Sequence, residues 1–399
     1  MKTECSEDFN QSNFLRSEFN FQFKNKEMVM NKLFETTEIN GMKLANRFVR
    51  AATHEGMAMD DGSVIPKLTE TMVDLANGGV GLIISGQMYV SPEGKAGPIQ
   101  LGIYKDELVD GLKTMCEAVH NAGGKIFAQL AHAGNAAIEA DGNIPHVVSA
   151  FEGLSESPRH ELTKEDIKKV VKAFGDAAGR AKEAGFDGVE FHSAHGYLLN
   201  QFLSPVYNLR EDEYGGSIEN RGRIHLEVYN AIREAVGKEY PVLVKINNED
   251  YVENGLSLED SVMVSKMLAG AGLDAIELSG GTSDSGKLGP ARVGINKEEK
   301  EAYFREAAAV YKKEIDLPLI LVGGMRSFSV AEQIIDSGIA DYISMCRPLV
   351  REPGLIKRWQ SGDTAPSKCK SDNLCYGPAM SGKGIYCVTE EKEREKRSS

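Results

Sequence analysis

Residues 186–215 read FDGVEFHSAHGYLLNQFLSPVYNLREDEYG. The stretch opens as a short apolar run, Gly188 to Phe191, with the alternation of a buried strand. It then passes into a polar segment carrying His192, His195 and Tyr197. Titratable side chains clustered where a strand ends lie at its carboxyl end, which is where parallel α/β folds place their chemistry.

Outward from this stretch the same unit repeats. Apolar strands are expected at 47–53, 81–86, 125–130, 188–192, 242–247, 275–279, 319–323 and 341–346. Helical periodicity follows each, near 66–77, 106–122, 163–184, 217–236, 257–271, 297–314, 328–337 and 353–361. Thr163–Asp166 and Ser257–Asp260 carry the Ser/Thr-x-x-acid signature of a helix start. In the helix after Thr163, Ile167, Val170, Val171, Phe174 and Ala178 share one face. Eight strands alternating with eight helices predict an α/β fold of the (β/α)8 TIM-barrel class. An open doubly wound sheet is the rival, but no G-x-G-x-x-G opens any of the helices. Two segments, 131–162 and 193–216, are too long for plain connectors and leave the carboxyl ends of strands, the face on which barrel enzymes work.

The chain has 399 residues, 41% of them apolar, and a net charge of −13 from 46 Lys+Arg against 59 Asp+Glu. That balance argues against a nucleic-acid or anionic-membrane partner, while leaving room for a local basic pocket around a phosphate. No apolar run is long enough for a membrane span, and no signal peptide is read at the start, so a cytoplasmic location is expected. Six cysteines, three of them in one C-terminal segment, do not form a disulfide framework and suit a reducing compartment or a metal or cluster site. Residues 1–30 lack a clear period and are expected to be a disordered extension. The barrel is expected over 31–365, followed by a tail, 366–399, with its charged end frayed from about Glu390.

The strand ends carry the candidate site. Ala52, Thr53 and His54 end the first strand, where small residues leave space for a flat ligand. Gln129 is polar within an apolar strand and requires a partner. Lys245 lies between Val244 and Ile246, which is costly without a carboxylate or an anionic ligand; Glu190 is the candidate partner if the pair is structural. Gly323–Gly324 and Cys346–Arg347 end the seventh and eighth strands, the usual phosphate-binding loops of such barrels. Gly280, Gly281 and Thr282 give a weaker signal of the same kind. His192 and His195 admit three readings: metal ligands, structural histidines, or two donors to one substrate oxygen with Tyr197 as a nearby acid.

These motifs resemble the Old Yellow Enzyme family of FMN-dependent oxidoreductases, the NADH:flavin oxidoreductases. The resemblance rests on NRFVRAATHEGMA (46–58), GLIISG (81–86), AQLAHAG (128–134), the stretch from Phe186 to Pro205, YGGSIENR (214–221), LVGGM (321–325) and DYISMCRPLVREP (341–353). It looks closest to single-domain relatives of the 2-enoate reductase and 2,4-dienoyl-CoA reductase group. The resemblance implies FMN as cofactor and NADH or NADPH as hydride donor. It implies that Ala52 and Thr53 line the flavin, that Gly86 lets the ring lie against the second strand, and that Gln129 bonds the pyrimidine edge. Lys245, where an Arg is often found, would face the N1–O2 locus. Gly323, Gly324, Cys346 and Arg347 would hold the phosphate. His192 and His195 would grip the carbonyl oxygen of an enone or enoate substrate, and Tyr197 would supply a proton.

Two departures stand out. His54 and Glu55 occupy positions where some relatives have a redox-tuning Cys. In the tail KCKSDNLCYGPAMSGKGIYC (368–387), Cys369, Cys375 and Cys387 are present, but Asp372 stands where a fourth Cys is expected. An iron–sulfur cluster is therefore not expected and no metal site is assigned; Cys369, Cys375 and Cys387 are read as free thiols or as ligands of adventitious zinc together with Asp372. Small molecules are the expected partners, and a homo-oligomer is compatible with the sequence. Two other functions remain open at this point: a flavin-free lyase using Lys245 as a Schiff base, and a non-catalytic flavin-binding barrel.

Overall fold

The computed structural model describes residues 31–139, 142–150 and 158–398. The expected N-terminal extension lies outside the described residues. All eight expected strands form: β1 (Phe48–Arg50), β2 (Leu82–Tyr89), β3 (Ile126–Ala131), β4 (Gly188–Ser193), β5 (Val242–Asn247), β6 (Ala275–Ser279), β7 (Leu319–Leu321) and β8 (Tyr342–Met345). They pair in parallel in sequence order and close into one barrel, β8 against β1. This is the (β/α)8 TIM barrel. The crossover helices are α1 (Pro66–Asn77), α2 (Val109–Asn121), α3 (Lys164–Glu183), α4 (Arg223–Val236), α5 (Leu258–Ala271), α6 (Arg305–Glu314), α7 (Phe328–Asp336) and α8 (Leu355–Gln360).

The helix starts follow their caps. Thr163 accepts the Asp166 N–H while Asp166 accepts the Thr163 N–H, a full capping box; Ser257 accepts the Asp260 N–H. Strand boundaries move for local reasons. β7 ends at Leu321, short of Gly323, because Gly323 and Gly324 take φ of 138° and 72°, outside any strand conformation. β2 runs past Gly86 to Tyr89, with a register irregularity against β3 between Ile84 and Gln87.

Period-2 alternation then decides what fills the barrel. One face of the strands carries Phe127 and Gln129, Gly188 and Glu190, Leu243 and Lys245, Ala275 and Glu277, Tyr342 and Ser344. Phe127, Leu243, Ala275 and Tyr342, with Val49, Leu82, Ile84 and Ile320, belong to a closed apolar layer in which Gly188 leaves room for the Phe127 ring. Ile39 and Leu44 of a preceding hairpin (Thr37–Ile39 with Met42–Leu44) complete that layer. The second of each pair is polar and lies one step nearer the carboxyl ends. The interior thus changes from apolar to polar along the barrel axis, toward the end that carries His192.

One expectation for the tail is corrected. The segment from Glu390 is not frayed: residues Val388–Ser398 form a further helix, α9. It is tied by Arg351 to Glu393 at 2.6 Å and by an Arg394–Glu390 pair at 2.6 Å with i,i+4 spacing. No helix among the described residues is long and apolar enough to cross a membrane.

Gly188 keeps the floor of the site closed. A Cβ there would sit 2.3 Å from the Phe127 ring. Gly188→Ala is expected to lower stability in urea denaturation by about 1–3 kcal/mol, as overpacking does. Gly179→Ala, in α3 with open space around it, should instead raise stability by up to about 1 kcal/mol.

Candidate active site

β4 delivers His192 and ends at Ser193, after which the chain turns sharply. His195 and Gly196 have φ of 63° and 80°, a left-handed conformation that a histidine adopts only under restraint. The restraints are side-chain amides. Asn247 Oδ1 accepts the His195 N–H at 3.2 Å, and Asn200 Oδ1 accepts the Gly196 N–H at 2.7 Å. Both amides in turn donate to Asp250, at 2.9 and 3.0 Å. A short helix, Leu198–Leu203, starts directly behind the turn and carries Asn200.

This turn brings His192, His195 and Tyr197 together. The His192 ring centroid lies 5.1 Å from that of His195 and 4.9 Å from that of Tyr197, both edge-on. His195 Nε2 is 2.7 Å from Ser279 Oγ at the end of β6. Tyr197 Oη accepts from Gln87 Nε2 at 2.7 Å. His192 Nδ1 is buried and has no partner. Burial, with the Lys245 charge nearby, pulls the His192 imidazolium down to about 3. Burial, His192 and Lys245 together hold His195 well below the usual histidine range. Both rings are therefore neutral at physiological pH, and each carries one N–H. Burial raises the Tyr197 phenol, outweighing its hydrogen bond from Gln87, so it keeps its proton. Ser279, Gln87, Asn200, Asn247 and Asp250 went unread in the sequence; only the polar residues Ser279 and Asn247, ending apolar strands, signalled them.

Beneath these residues lies the polar layer. Gln129 Nε2 donates to Glu190 Oε1 at 2.7 Å. Lys245 Nζ pairs with Glu277 Oε2 at 3.0 Å, and Ser344 Oγ donates to Glu277 Oε1 at 2.6 Å. The ion-pair partner of Lys245 is thus Glu277 and not Glu190. Strand register decides it: Lys245 stands directly across from Glu277, whereas Glu190 stands across from Leu243. Burial alone would lower the Lys245 ammonium, but Glu277 and Glu190 outweigh it and hold it above the ordinary lysine value.

The other strand ends lie around this centre. Thr53 Oγ1 donates to Ala51 O at 3.0 Å and lies 2.9 Å from Cys346 Sγ; Ala52 is half-buried beside it. The space at Gly86 is taken by protein: a Cβ there would strike the Glu55 carboxylate, which forms a buried 2.6 Å pair with Arg50. At the ends of β7 and β8, a Cβ on Gly324 would meet the Tyr303 ring at 2.8 Å. Arg347 donates to Arg292 O at 2.8 Å and to Asn373 Oδ1 of the tail at 2.6 Å. Arg292 stacks on Tyr303 at 4.4 Å and its buried Nε has no partner; the sequence reading missed this second guanidinium.

Among the described residues, Glu93, His132 and His146 bring metal-type donor atoms within 4.8 Å of one another. His132 Nδ1 already accepts the Gly134 N–H at 3.0 Å, which leaves the ring proton on Nε2, so His132 has no free lone pair for an ion.

The family profile described as NADH:flavin oxidoreductase / NADH oxidase matches residues 32–365. The chain belongs to this family. It is 38% identical over 329 residues to the NADPH dehydrogenase of Bacillus licheniformis, covering 81% of this chain and 92% of that one. It is 37% identical over 359 residues to the NADH oxidase of Thermoanaerobacter brockii, covering 86% of this chain and 53% of the other; the chain spans about half the length of that relative. Among solved structures, it resembles 2-naphthoyl-CoA reductase in complex with 2-naphthoyl-CoA at TM-score 0.82 and 28% identity, covering 90% of this chain and 56% of that one. It also resembles morphinone reductase in complex with tetrahydroNAD at TM-score 0.68 and 29% identity, covering 83% and 91%. The family is one of oxidoreductases that use FMN and a nicotinamide donor.

The buried ion pair sets a test. Lys245→Met leaves Glu277 without its cation and is expected to cost about 3–5 kcal/mol of stability. The double variant Lys245→Met/Glu277→Gln removes both charges and should recover a large part of that loss. Chemical denaturation of the two apoproteins measures the difference.

Proposed function

We propose that this chain is an FMN-dependent reductase of activated C=C bonds, in which NADH or NADPH supplies hydride and an α,β-unsaturated carbonyl compound accepts it. The observation that carries the reading is the convergence of His192, His195 and Tyr197 directly above the polar layer of the barrel. Residues 31–365 form the FMN-binding unit, and 366–398 form a tail that packs on it.

The residues fit FMN. Gln129 and Lys245 would present an amide and a cation to the pyrimidine edge, and Ala52 and Thr53 would line a flat wall beside it. The Gly323–Gly324 turn, the Cys346 backbone and Arg347 suit a phosphate, with the unpartnered Nε of Arg292 nearby. When bound, FMN would supply the two-electron carrier between nicotinamide and substrate.

The protein's own part is polarisation and proton delivery. Neutral His192 and His195 each offer one N–H to the substrate oxygen, which favours negative charge there and makes the β-carbon electron-poor. Two such donors supply on the order of several kcal/mol to the transition state. Tyr197, held by Gln87, keeps its proton until the α-carbon requires it. A Schiff-base lyase is disfavoured by the pairing of Lys245, since a nucleophilic lysine requires a depressed pKa and this one is raised. A pure binding role is disfavoured by the restrained turn at His195.

The tail supports the absence of a cluster. Asp372 Oδ1 accepts the Leu374 N–H at 3.1 Å and Oδ2 the Thr389 hydroxyl at 2.5 Å.

Two experiments test this. In stopped flow, Tyr197→Phe should slow enone-dependent reoxidation on the order of tenfold or more and leave flavin reduction by NADPH nearly unchanged; equal slowing of both half-reactions would make Tyr197 structural. Protein prepared without oxygen should hold FMN with iron and labile sulfide far below stoichiometric. Four irons per chain would overturn the cluster-free reading.

A further inference from the structure

Two carboxyl groups and one ammonium meet in the polar layer of the barrel. Glu277 accepts from both Lys245 and Ser344, as an ionised carboxylate does. Glu190 accepts one bond, from Gln129, on Oε1, while its Oε2 is fully buried and accepts none. Both carboxyls are 0% exposed. They lie on either side of the strand that carries Lys245, β5 being flanked by β4 and β6. The groups facing Glu190 are Gln129 from β3, His192 on its own strand, Lys245 from β5 and Glu277 from β6. Among these only Lys245 is cationic, because His192 is held neutral.

We propose that Glu190 and Glu277 share a single proton, so that the pair carries one negative charge matched by Lys245 and the layer beneath the flavin is neutral. This rests on the FMN-dependent reading above and assigns Glu190 as a positioning residue for the cofactor's redox chemistry, a role beyond binding. Three considerations lead to it. One cation balances one carboxylate, and a second buried, unpaired charge would cost several kcal/mol. A protonated Oε2 turns an orphaned acceptor into a donor, and among the described residues the neighbouring carboxylate is Glu277. Burial first, and then the Glu277 charge, push the Glu190 carboxyl well above the usual range, Lys245 and Gln129 opposing them.

The consequence concerns reduction. Negative charge that builds at the pyrimidine edge is met by Lys245 over a neutral floor, not over a net negative one. It also strengthens the hold on the shared proton, so the pair's pKa is higher in the reduced protein than in the oxidised one. Between those two pKa values, reduction takes up one extra proton. Above both, the layer carries a net negative charge and the flavin is harder to reduce.

The test uses FMN-loaded protein and needs no turnover. In wild type, the infrared spectrum should show the carbonyl stretch of a buried protonated carboxyl, shifted in D2O and missing from Glu190→Gln. At neutral pH the variant should keep the FMN midpoint potential and bind FMN within twofold of wild type. At alkaline pH the wild-type potential should fall with a slope one proton per two electrons steeper over a limited range, and the Glu190→Gln potential should not. A raised potential in Glu190→Gln at neutral pH would mean that a negative charge had been removed, and would overturn the proposal. So would the absence of the infrared band, which wild-type protein alone decides if the variant does not fold. Failure of the purified chain to bind FMN at all would instead refute the functional reading.

Discussion

The Lys245–Glu277 ion pair divides this barrel into two functional halves. Below it, Phe127, Leu243, Ala275, Ile320 and Tyr342 pack with Ile39 and Leu44 as a sealed apolar plug. Above it, His192, Asn247 and Ser279 continue the inward alternation of β4, β5 and β6 with side chains that can exchange hydrogen bonds. A charge at this depth is unfavourable by itself and holds its place only because its partner stands one strand away in direct register. That requirement fixes the stagger of β5 on β6. The same stagger sets Ser279 where it meets the His195 ring and Asn247 where it meets the His195 backbone.

The fold was legible because alternation and helical periodicity act within a few residues of sequence, and each strand–helix unit repeats the signal. Boundaries at β7 and β8 shifted by a residue or two where glycine φ or a tight turn ends pairing, since apolar character continues past the last ladder bond. His192, His195 and Tyr197 were legible because they cluster in sequence. The partner of Lys245 was not. Glu190 and Glu277 both point inward, and only the stagger between neighbouring strands, which no local pattern encodes, chooses between them. Arg292 was hidden for a related reason: its role comes from stacking on Tyr303, which no sequence spacing announces. Gly86 was read for the flavin alone, and the structure adds a second reason for a glycine there, the buried Glu55 carboxylate.

The turn at His195 shows how a strained residue is held. A left-handed histidine costs on the order of 1–3 kcal/mol. The Asn247, Asn200 and Asp250 network offsets that cost through two bonds to the turn's own N–H groups, those of His195 and Gly196. Such a site favours one orientation of both rings before any ligand arrives. Preorganisation of donors, rather than their number, is what makes hydrogen bonding effective on a developing charge.

The tail raises a different question: why a segment with an incomplete cysteine set persists. The structure gives it packing work that does not depend on a metal. Gly56 has no room for a Cβ because Ala379 O occupies the space, and the Ile385 N–H bonds Glu55 O at 2.7 Å. Asn373 holds the Arg347 guanidinium and at the same time bonds Ala291 O. Tyr376 is packed near Cys346, with 4.0 Å between hydroxyl and thiol. The tail therefore positions Arg347, which ends β8, and braces the Glu55 that pairs with Arg50. A segment bound to the barrel mouth through so many side chains contributes the geometry it imposes, with Asp372 itself tied to the Thr389 hydroxyl.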